Sequence, residues 1–496
     1  MDQKTPRGLT LIAFALTMGL WADILLRATP WGLNFPLWML GGCAVVYSVR
    51  RWRDGDFARN CRWLLLTGVL FSIGVAWRDA VTLKLLDAFS LLVILSLMML
   101  RAQGRTLLRS SLAEYGAGAV ITGLNAAFGS LALLFSDISW RDAIRNRRSQ
   151  QKIAVVRGIV IAIPLLLLFG GLLTGADAVF RHFVKDIVHL DFGSVFSHFF
   201  MVVLFAWMVG GFLRGLIIGT EIRTVQDLPT PAHTMGVIEI SIVLTSLNVL
   251  FLSFVLVQVR YLFGGAGWVQ VSPGLTYAEY ARRGFFELVA VAALVLPLLL
   301  GCHWLMRQEQ PSHRRIFGWL AGFQLALVSV IMISALERMY LYQREYGLTE
   351  QRFYTTAFMG WLAAVFIWFS VTVLRGRREH FAFGALVAGL FLVLALHIVN
   401  PDQFITRVNL SRENTGRPLD IEYVASLSAD AVPEIIEILP TLSPEHRALL
   451  ASRILQRWPS QVDANWRTWS WARSRALKAA RRNYAFLRPL EKSKTK

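Results

Sequence analysis

The sequence predicts an all-α protein, a polytopic bundle of about eleven or twelve transmembrane helices with a small helical C-terminal soluble domain. Three observations predict this class. The chain is 55% hydrophobic and 17% charged, whereas soluble proteins carry about 25% charged residues. Its apolar residues come in runs of about twenty, the helical length that crosses a hydrocarbon layer of about 30 Å. The alternating pattern of a transmembrane β-barrel is absent.

Eleven apolar runs are predicted to span the membrane. The first follows Lys4 and Arg7 like a signal peptide, but its length and the lack of a small-residue cleavage site predict an uncleaved span. The eleven are Leu9–Leu26, Trp31–Val49, Trp63–Trp77, Val81–Leu100, Val155–Leu173, Phe196–Ile218, Val237–Val259, Phe285–Trp304, Ile316–Leu336, Thr355–Leu374 and Phe381–Val399.

The stretch Gly116–Phe135 is the doubtful twelfth span, long enough to cross but rich in Gly, Ala and Ser. If it does not cross and the N-terminus is cytoplasmic, basic loops at 50–62, 101–109 and 141–152 all face the cytoplasm. If it crosses, the last of these loops is left outside, against the positive-inside rule. Loop charge therefore predicts an in-plane or re-entrant helix within a basic loop, residues 101–154. Eleven spans place the C-terminal domain outside the cytoplasm, and twelve place it inside.

The remaining domain boundaries follow from the spans. Residues 1–100 form a four-span segment, residues 155–399 a seven-span core, and residues 400–496 a polar helical domain in which no run is long enough to span. In that domain Ser428 or Asp430 could cap a helix.

Further helices of the polar domain are marked by proline and by tryptophan–arginine patterns. Pro433 suits the first turn of the capped helix, and Ser443-Pro444-Glu445 starts another. A last helix, from Val462 to Leu487, interleaves tryptophan with arginine. In a membrane protein this mixture favours contact with lipid headgroups over stacking on a nucleic-acid strand.

The net charge of +19 comes largely from arginines in short loops between spans. Orientation and anionic headgroups account for such charge, so the predicted partners are the lipid bilayer and its anionic headgroups, and no nucleic acid. The sequence identifies no protein partner. The three cysteines form no CxxC motif or Cys/His cluster, so neither a metal nor another cofactor is predicted.

Two polar corners carry the unusual charges. Tyr277–Leu288 places them between aromatic residues just before a span, and Glu337–Thr349 follows a span, with Gly347 stopping one helix and Thr349 capping the next. Two spans separate the corners, so both fall on one side of the membrane, where charges are costly unless paired or wet. The predicted network, either a ligand site or a latch that fixes span order, comprises Glu279, Arg282, Arg283, Glu287, Glu337, Arg338, Tyr342 and Tyr346. No catalytic residue is predicted.

Other polar residues lie within the spans. Asn248 and Gln324 are mid-span amides, for which interhelical hydrogen bonding is the favoured interpretation. Ionisable residues lie nearer the ends of spans, and the acids among them are predicted to pair with loop arginines, while Lys84 and Asp87, three residues apart, could neutralise each other. The residues near span ends include Asp23, Asp87, Glu239, His303 and His397.

Several stretches resemble a known family. Tyr277–Leu288, preceded by Gln258 and Tyr261–Gly265, is similar to the bacterial membrane proteins grouped as domain of unknown function 4173, with its relative 4153. The other similar stretches are Tyr346–Thr349, Asn400-Pro401-Asp402 with Arg407 and Asn409, and Leu427–Pro433. The likeness covers roughly Val155 to Asn483. The resemblance implies a multi-pass protein of the bacterial inner (cytoplasmic) membrane and adds no catalytic residue.

Three functions stay open at this level. The leading hypothesis is a non-enzymatic membrane sensor or scaffold, because the unusual residues lie at the interface while the mid-membrane is sparsely polar. The alternative is a small-solute transporter or channel that uses the polar corners as gate or binding site, although the repeats common in such folds are not evident. A water-filled cavity lined by Asn248, Gln324 and Glu287 would indicate transport. A transferase for lipid-linked substrates would need an acid or His cluster facing one leaflet.

Overall fold

The computed structural model describes residues 4–52, 55–140, 192–219, 235–263, 285–306, 311–413, 419–459 and 465–492, with four isolated residues between 162 and 176. Regular structure in these ranges is helical, without a sheet. The helices are α1 (Lys4–Leu26), α2 (Asn34–Val49), α3 (Gly55–Trp77), α4 (Val81–Ala102), α5 (Leu112–Asp137, with two π-helical turns), α6 (Phe192–Ile217), α7 (Val237–Phe263), α8 (Phe285–Leu305), α9 (Pro311–Tyr346), α10 (Glu350–Thr372), α11 (Phe381–Val399), α12 (Pro401–Leu410), α13 (Ile421–Ser426), α14 (Val432–Ile438), α15 (Pro444–Arg457), α16 (Trp471–Arg482) and α17 (Tyr484–Lys492).

Nine helices in the described part of the chain are long and apolar enough to cross a membrane. Eight of them, α1, α4 and α6–α11, coincide with predicted spans, and the ninth is α5. Two shorter apolar helices, Asn34–Val49 and Cys61–Trp77, fall where two further spans are predicted. The predicted span Val155–Leu173 lies outside the described residues, apart from three isolated positions. The fold class, an all-α polytopic bundle, is confirmed.

The helices pack into two cores joined by one helix. The first core is built from α1–α6 and includes Leu11, Met98 and Leu213, and the second is built from α7–α10 and includes Val328. Helix α11 contributes to both, with Val393 in the first core and Phe381 in the second. Because lipid tails are as apolar as these side chains, close packing rather than escape from water holds such cores together.

The C-terminal domain, α12–α17, lies on one face of this bundle, which we call the domain face. The Leu33 amide, just before α2, donates to Trp469 O at 2.8 Å. The Leu348 amide, between α9 and α10, donates to Asn409 Oδ1 at 2.8 Å. The helix α1 enters the bundle at the opposite face and ends at the domain face. Residue 4 and the C-terminal domain therefore lie at opposite faces of the described helices, since the start of α1 contacts Ser139 and its end contacts Arg467.

Helix α5 has the length of a span, yet its contacts place both ends near the opposite face. Gly118 lies against Leu100, near the end of α4. Asp137 forms an ion pair with Arg214, near the end of α6. Shortly after α5, Ser139 hydrogen bonds Thr5 at the start of α1, at 2.8 Å. These contacts favour an in-plane or re-entrant course, which stays a prediction.

The C-terminal domain has its own apolar core, which includes Ile405, Val424, Ile435 and Leu450. Its described helices largely follow the sequence signals: α15 begins at Pro444, and Pro433 is in the first turn of α14. The single last helix predicted from Val462 to Leu487 is wrong in its described part, because the chain forms α16 and α17 with a break at Asn483.

Candidate functional site

The predicted network of the two polar corners is only partly described. Glu279, Arg282 and Arg283 lie outside the described residues. Glu287, in the first turn of α8, and Glu337, in α9, are exposed, whereas Arg338 is half-buried. The ionic part of the network therefore stays a prediction.

The aromatic part of the second corner is ordered around an arginine that was not predicted. The rings of Tyr342 and Tyr346 lie 5.2 Å apart, and the Arg352 guanidinium stands 4.0 Å over the Tyr342 ring. Arg352 also donates to Gly347 O at 2.5 Å. Gly347 adopts a φ of +79° and ends α9, and Thr349 accepts from the Arg352 amide. The helix stop and the cap are confirmed.

The two mid-span amides are buried between α7 and α9. Asn248 donates to Leu320 O at 3.0 Å across the helix pair, as interhelical bonding predicts. Gln324, one turn further along α9, has no accessible surface, and neither of its amide atoms has a partner among the described residues. Since Gln324 has no surface that water can reach, it does not line a water-filled cavity in this conformation.

A buried arginine at the domain face joins three parts of the chain. Arg78 follows α3 and donates through Nε and Nη2 to His397 O, at 2.9 and 2.5 Å, near the end of α11. Its Nη1 lies 3.1 Å from Asp430 Oδ1 in the C-terminal domain. The side chains of Arg78 and Asp430 are only 6% and 2% exposed. An ion pair this buried is costly to break, because either charge alone is left desolvated.

The adjacent Asp79 extends the same junction. Its amide donates to Asp430 Oδ2 at 2.7 Å, and its Oδ1 accepts from Lys84 Nζ at 2.7 Å and from Arg473 Nη1 at 3.2 Å. Lys84 therefore pairs with Asp79 rather than Asp87. Lys84 pairs with Asp79, five residues earlier at the helix start, because Asp87 faces the bundle interior.

Asp87 pairs instead with His397, and we call these two side chains the acid–imidazole pair. His397 Nε2 lies 3.2 Å from Asp87 Oδ2, and both residues are at most 2% exposed. His397 Nδ1 donates to Val393 O at 2.9 Å. Since a carboxylate and a bare imidazole nitrogen both only accept, one proton lies between Nε2 and Oδ2.

A glycine makes room for this pair. A Cβ on Gly74, in α3, would stand 2.6 Å from both Asp87 Oδ2 and His397 Nε2. Three helices thus meet at one titratable pair, less than two turns into α4. Buried ionisable residues at such depth are a default indication of a functional site.

The C-terminal domain supplies further buried acids at the junction. Asp402, in the first turn of α12, is 1% exposed, and its Oδ2 accepts from the Ser428 amide at 3.0 Å. Glu434 accepts a two-pronged bond from Arg407, at 2.7 and 3.0 Å. Asn409 also attaches the domain to the bundle, because its side-chain amide donates to Leu348 O at 2.7 Å.

The electrostatics of these acids differ with burial. Burial raises the pKa of Asp430, opposed by the Asp79 amide and by Arg78. Burial also raises the pKa of Asp402, opposed by Ser428. The hydrogen bond from Arg407 lowers the pKa of Glu434. Charge is therefore costly at the two aspartates and stabilised at the glutamate.

The sequence indicated these residues individually but not their arrangement. Asp87 was predicted to pair with a loop arginine or with Lys84, yet it pairs with His397 across 310 residues. Three stretches that resemble the family, at residues 346–349, 400–409 and 427–433, all reach the junction. Within the described residues, no group of three or more His, Cys, Asp or Glu side chains is placed to hold a metal ion.

Comparison with known proteins gives one match. The model of the family described as Domain of unknown function (DUF4153) matches residues 65–438. That is the relative of family 4173, and the resemblance to family 4173 itself is not shown. The match begins earlier than the resemblance predicted, so it contains Arg78 and Asp87 as well as His397, Asp402 and Asp430. No curated protein and no solved structure matches the chain.

Proposed function

Because the chain belongs to the DUF4153 family, whose model runs from α3 into α14, we propose that its membrane helices and C-terminal domain act as one unit, a non-enzymatic membrane sensor or scaffold. Arg78 carries the proposal. It ties the α3–α4 turn, the end of α11 and the C-terminal domain together with buried hydrogen bonds. The C-terminal domain reports on, or holds, the relative positions of the helix ends.

The junction disfavours transport by rocking of the two cores. The C-terminal domain contacts the first core through Leu33 and Asp79 and the second through Leu348. Rocking one core against the other would break at least one of these attachments. A buried ion pair costs about 3–5 kcal/mol when one partner is lost.

The junction also disfavours a transferase. An acid and His cluster does lie near one face, but the acid–imidazole pair is buried beneath the C-terminal domain. A lipid-linked substrate would have no access to it in this conformation.

Measurements of ion flux across the membrane of reconstituted proteoliposomes distinguish the proposed sensor or scaffold from a transporter. We expect imposed proton, sodium and potassium gradients to decay no faster than in protein-free vesicles, for the wild type and for Arg78→Ala. A flux carried by the wild type and lost in Gln324→Ala would replace the sensor or scaffold with a transporter, because Gln324 is a fully buried polar residue of the second core.

A reporter for domain attachment supplies the positive test. The amides of Leu33 and Leu348 donate to the C-terminal domain from two distant loops. If the domain moves as a unit, a variant that weakens one attachment speeds hydrogen exchange at both amides together. Exchange that rises at one loop and stays unchanged at the other would contradict the single-unit proposal.

A further inference from the structure

Two carboxyl groups at the junction lie against each other. Glu350 is the first residue of α10, and Asp402 is the second residue of α12. The start of α10 packs on α12, with the ring centroids of Phe353 and Phe404 5.8 Å apart, and this packing brings the carboxyl groups of Glu350 and Asp402 within reach of a shared hydrogen bond. The contact therefore joins a membrane helix of the second core to the C-terminal domain.

No basic side chain in the described part of the chain neutralises this contact. Within the described residues, no lysine or arginine nitrogen lies within 4 Å of either carboxyl group, whereas Asp430 has Arg78 and Asp87 has His397. Arg352, the nearest basic residue in sequence, donates to the carbonyl groups of Tyr346 and Gly347.

The other described groups around the contact, two tyrosines, add no positive charge. The Tyr354 hydroxyl is buried, has no hydrogen-bond partner among the described residues, and lies among Glu350, Asp402, Asp430 and Asp87. The Tyr423 hydroxyl accepts from the Glu350 amide at 2.7 Å. Burial raises the pKa of Tyr423 to about 12, so this hydroxyl is neutral.

The chemistry of such a pair requires a proton. An ionised carboxylate can only accept hydrogen bonds, so two carboxyl groups in contact need a proton between them. Asp402 Oδ2 already accepts from the Ser428 amide, whereas Oδ1 is buried and receives no hydrogen bond from the described protein groups. The buried Oδ1 is therefore the open acceptor for that proton.

We propose that Glu350 and Asp402 form a proton-binding site, in which one shared proton fastens the C-terminal domain to α10 and its loss loosens the domain. This inference rests on the proposed sensor function, and the signal that the protein would sense is the proton concentration at the domain face. When the proton leaves for water, two like charges remain in contact in a poorly hydrated site, and they repel.

The direction of the pH effect depends on the state, attached or detached, in which the acid ionises more easily. A buried acid that is easier to ionise in the detached state stabilises attachment at low pH and loses that contribution as pH rises through its attached-state pKa. The domain is therefore held at acidic pH and loosened at alkaline pH. Each unit of pKa difference between the two states changes the detachment equilibrium about tenfold.

Infrared difference spectroscopy tests the site itself. In the purified full-length protein, the carbonyl stretch of a protonated carboxylic acid should be present at acidic pH and disappear on titration with hydroxide. Glu350→Gln and Asp402→Asn should each remove that band, while Glu422→Gln, at an exposed salt bridge of the same domain, should leave it. A band that survives both Glu350→Gln and Asp402→Asn would overturn the site, whatever the protein's function.

Hydrogen exchange tests the coupling to attachment. After correction for the intrinsic pH dependence, exchange of the Leu348 amide should be at least about tenfold faster at alkaline than at acidic pH in the wild type. Glu350→Gln should abolish this pH dependence while keeping the slow rate, because its amide can donate to Asp402 at any pH. The Glu422→Gln control should behave as the wild type.

Two outcomes of the exchange experiment would overturn the coupling. One is a pH dependence that persists in Glu350→Gln, which would assign it to the acid–imidazole pair or to Asp430. The other is exchange that responds to added sodium, potassium or calcium ions at constant pH and not to pH itself, which would make the occupant a metal ion.

Discussion

Replacing Arg78 with alanine should detach the C-terminal domain more than any loss of a surface ion pair. The change leaves Asp430 buried with a single remaining donor among the described residues, the Asp79 amide, and removes two hydrogen bonds to His397 O. Breaking a buried pair costs about 3–5 kcal/mol. At 1.4 kcal/mol for each factor of ten, the detachment equilibrium should shift by roughly a hundred- to a few-thousand-fold.

The chain offers a matched control in the same domain. Arg453 and Glu422 form a salt bridge with a 3.0 Å separation, close to the 3.1 Å of Arg78 and Asp430, but their side chains are 51% and 57% exposed. Exposed pairs contribute about 0–1 kcal/mol. Arg453→Ala should therefore change the same equilibrium by less than about fivefold.

Hydrogen exchange followed by mass spectrometry measures both variants. Peptides that contain Leu33 or Leu348 report detachment, because those amides donate to the C-terminal domain far from either mutated residue in sequence. Arg78→Ala should speed their exchange by the factor above. Equal effects of Arg78→Ala and Arg453→Ala would refute the reasoning, since burial is the property that separates the two pairs.

Three smaller changes test other parts of the junction. Gly74→Ala should cost about 1–3 kcal/mol in thermal stability because its Cβ would intrude on the acid–imidazole pair, whereas Gly68→Ala on the same helix, with its nearest neighbours at 3.8 Å, should cost little. Gly347→Ala should destabilise the protein by about 1–2 kcal/mol because of its φ of +79°, and Gly360→Ala, in open space within α10, should be neutral or slightly stabilising in the same melting assay. Glu434 has a lowered pKa, so its stabilising contribution is present above its ordinary pKa of 4.5 and is lost as pH falls below that value. Between about pH 5 and pH 3.5, the wild-type domain should therefore lose more stability to denaturant than Glu434→Gln. Equal losses in the two proteins would contradict the assignment.

The features that were predicted from sequence depend on local physics. Apolar run length gave the multi-pass class, and the stop at Gly347 and the cap at Thr349 follow from backbone preferences that act within a few residues. Both are present where they were expected.

The features that were missed depend on partners far away in sequence. Asp430 was a candidate helix cap, but its carboxylate bonds Arg78 and the Asp79 amide, and α14 begins without a side-chain cap. A helix cap contributes about 1 kcal/mol, which is less than the free energy lost when a buried ion pair is broken. The Asp430 carboxylate therefore pairs with the distant Arg78 instead of capping the helix. No local sequence pattern predicts a contact between two residues that are 352 positions apart, as Arg78 and Asp430 are.

The position of the C-terminal domain has a consequence for how the protein is made. Its docking sites, at Leu33, Asp79 and Leu348, emerge from the ribosome long before the domain that covers them, since proteins are synthesised from the N-terminus at about 5–20 residues per second. Until Asp430 is synthesised, Arg78 lacks the carboxylate with which it pairs. The junction can therefore close only after residue 430 has been synthesised, and a chain truncated before that residue would leave Arg78 without its Asp430 partner.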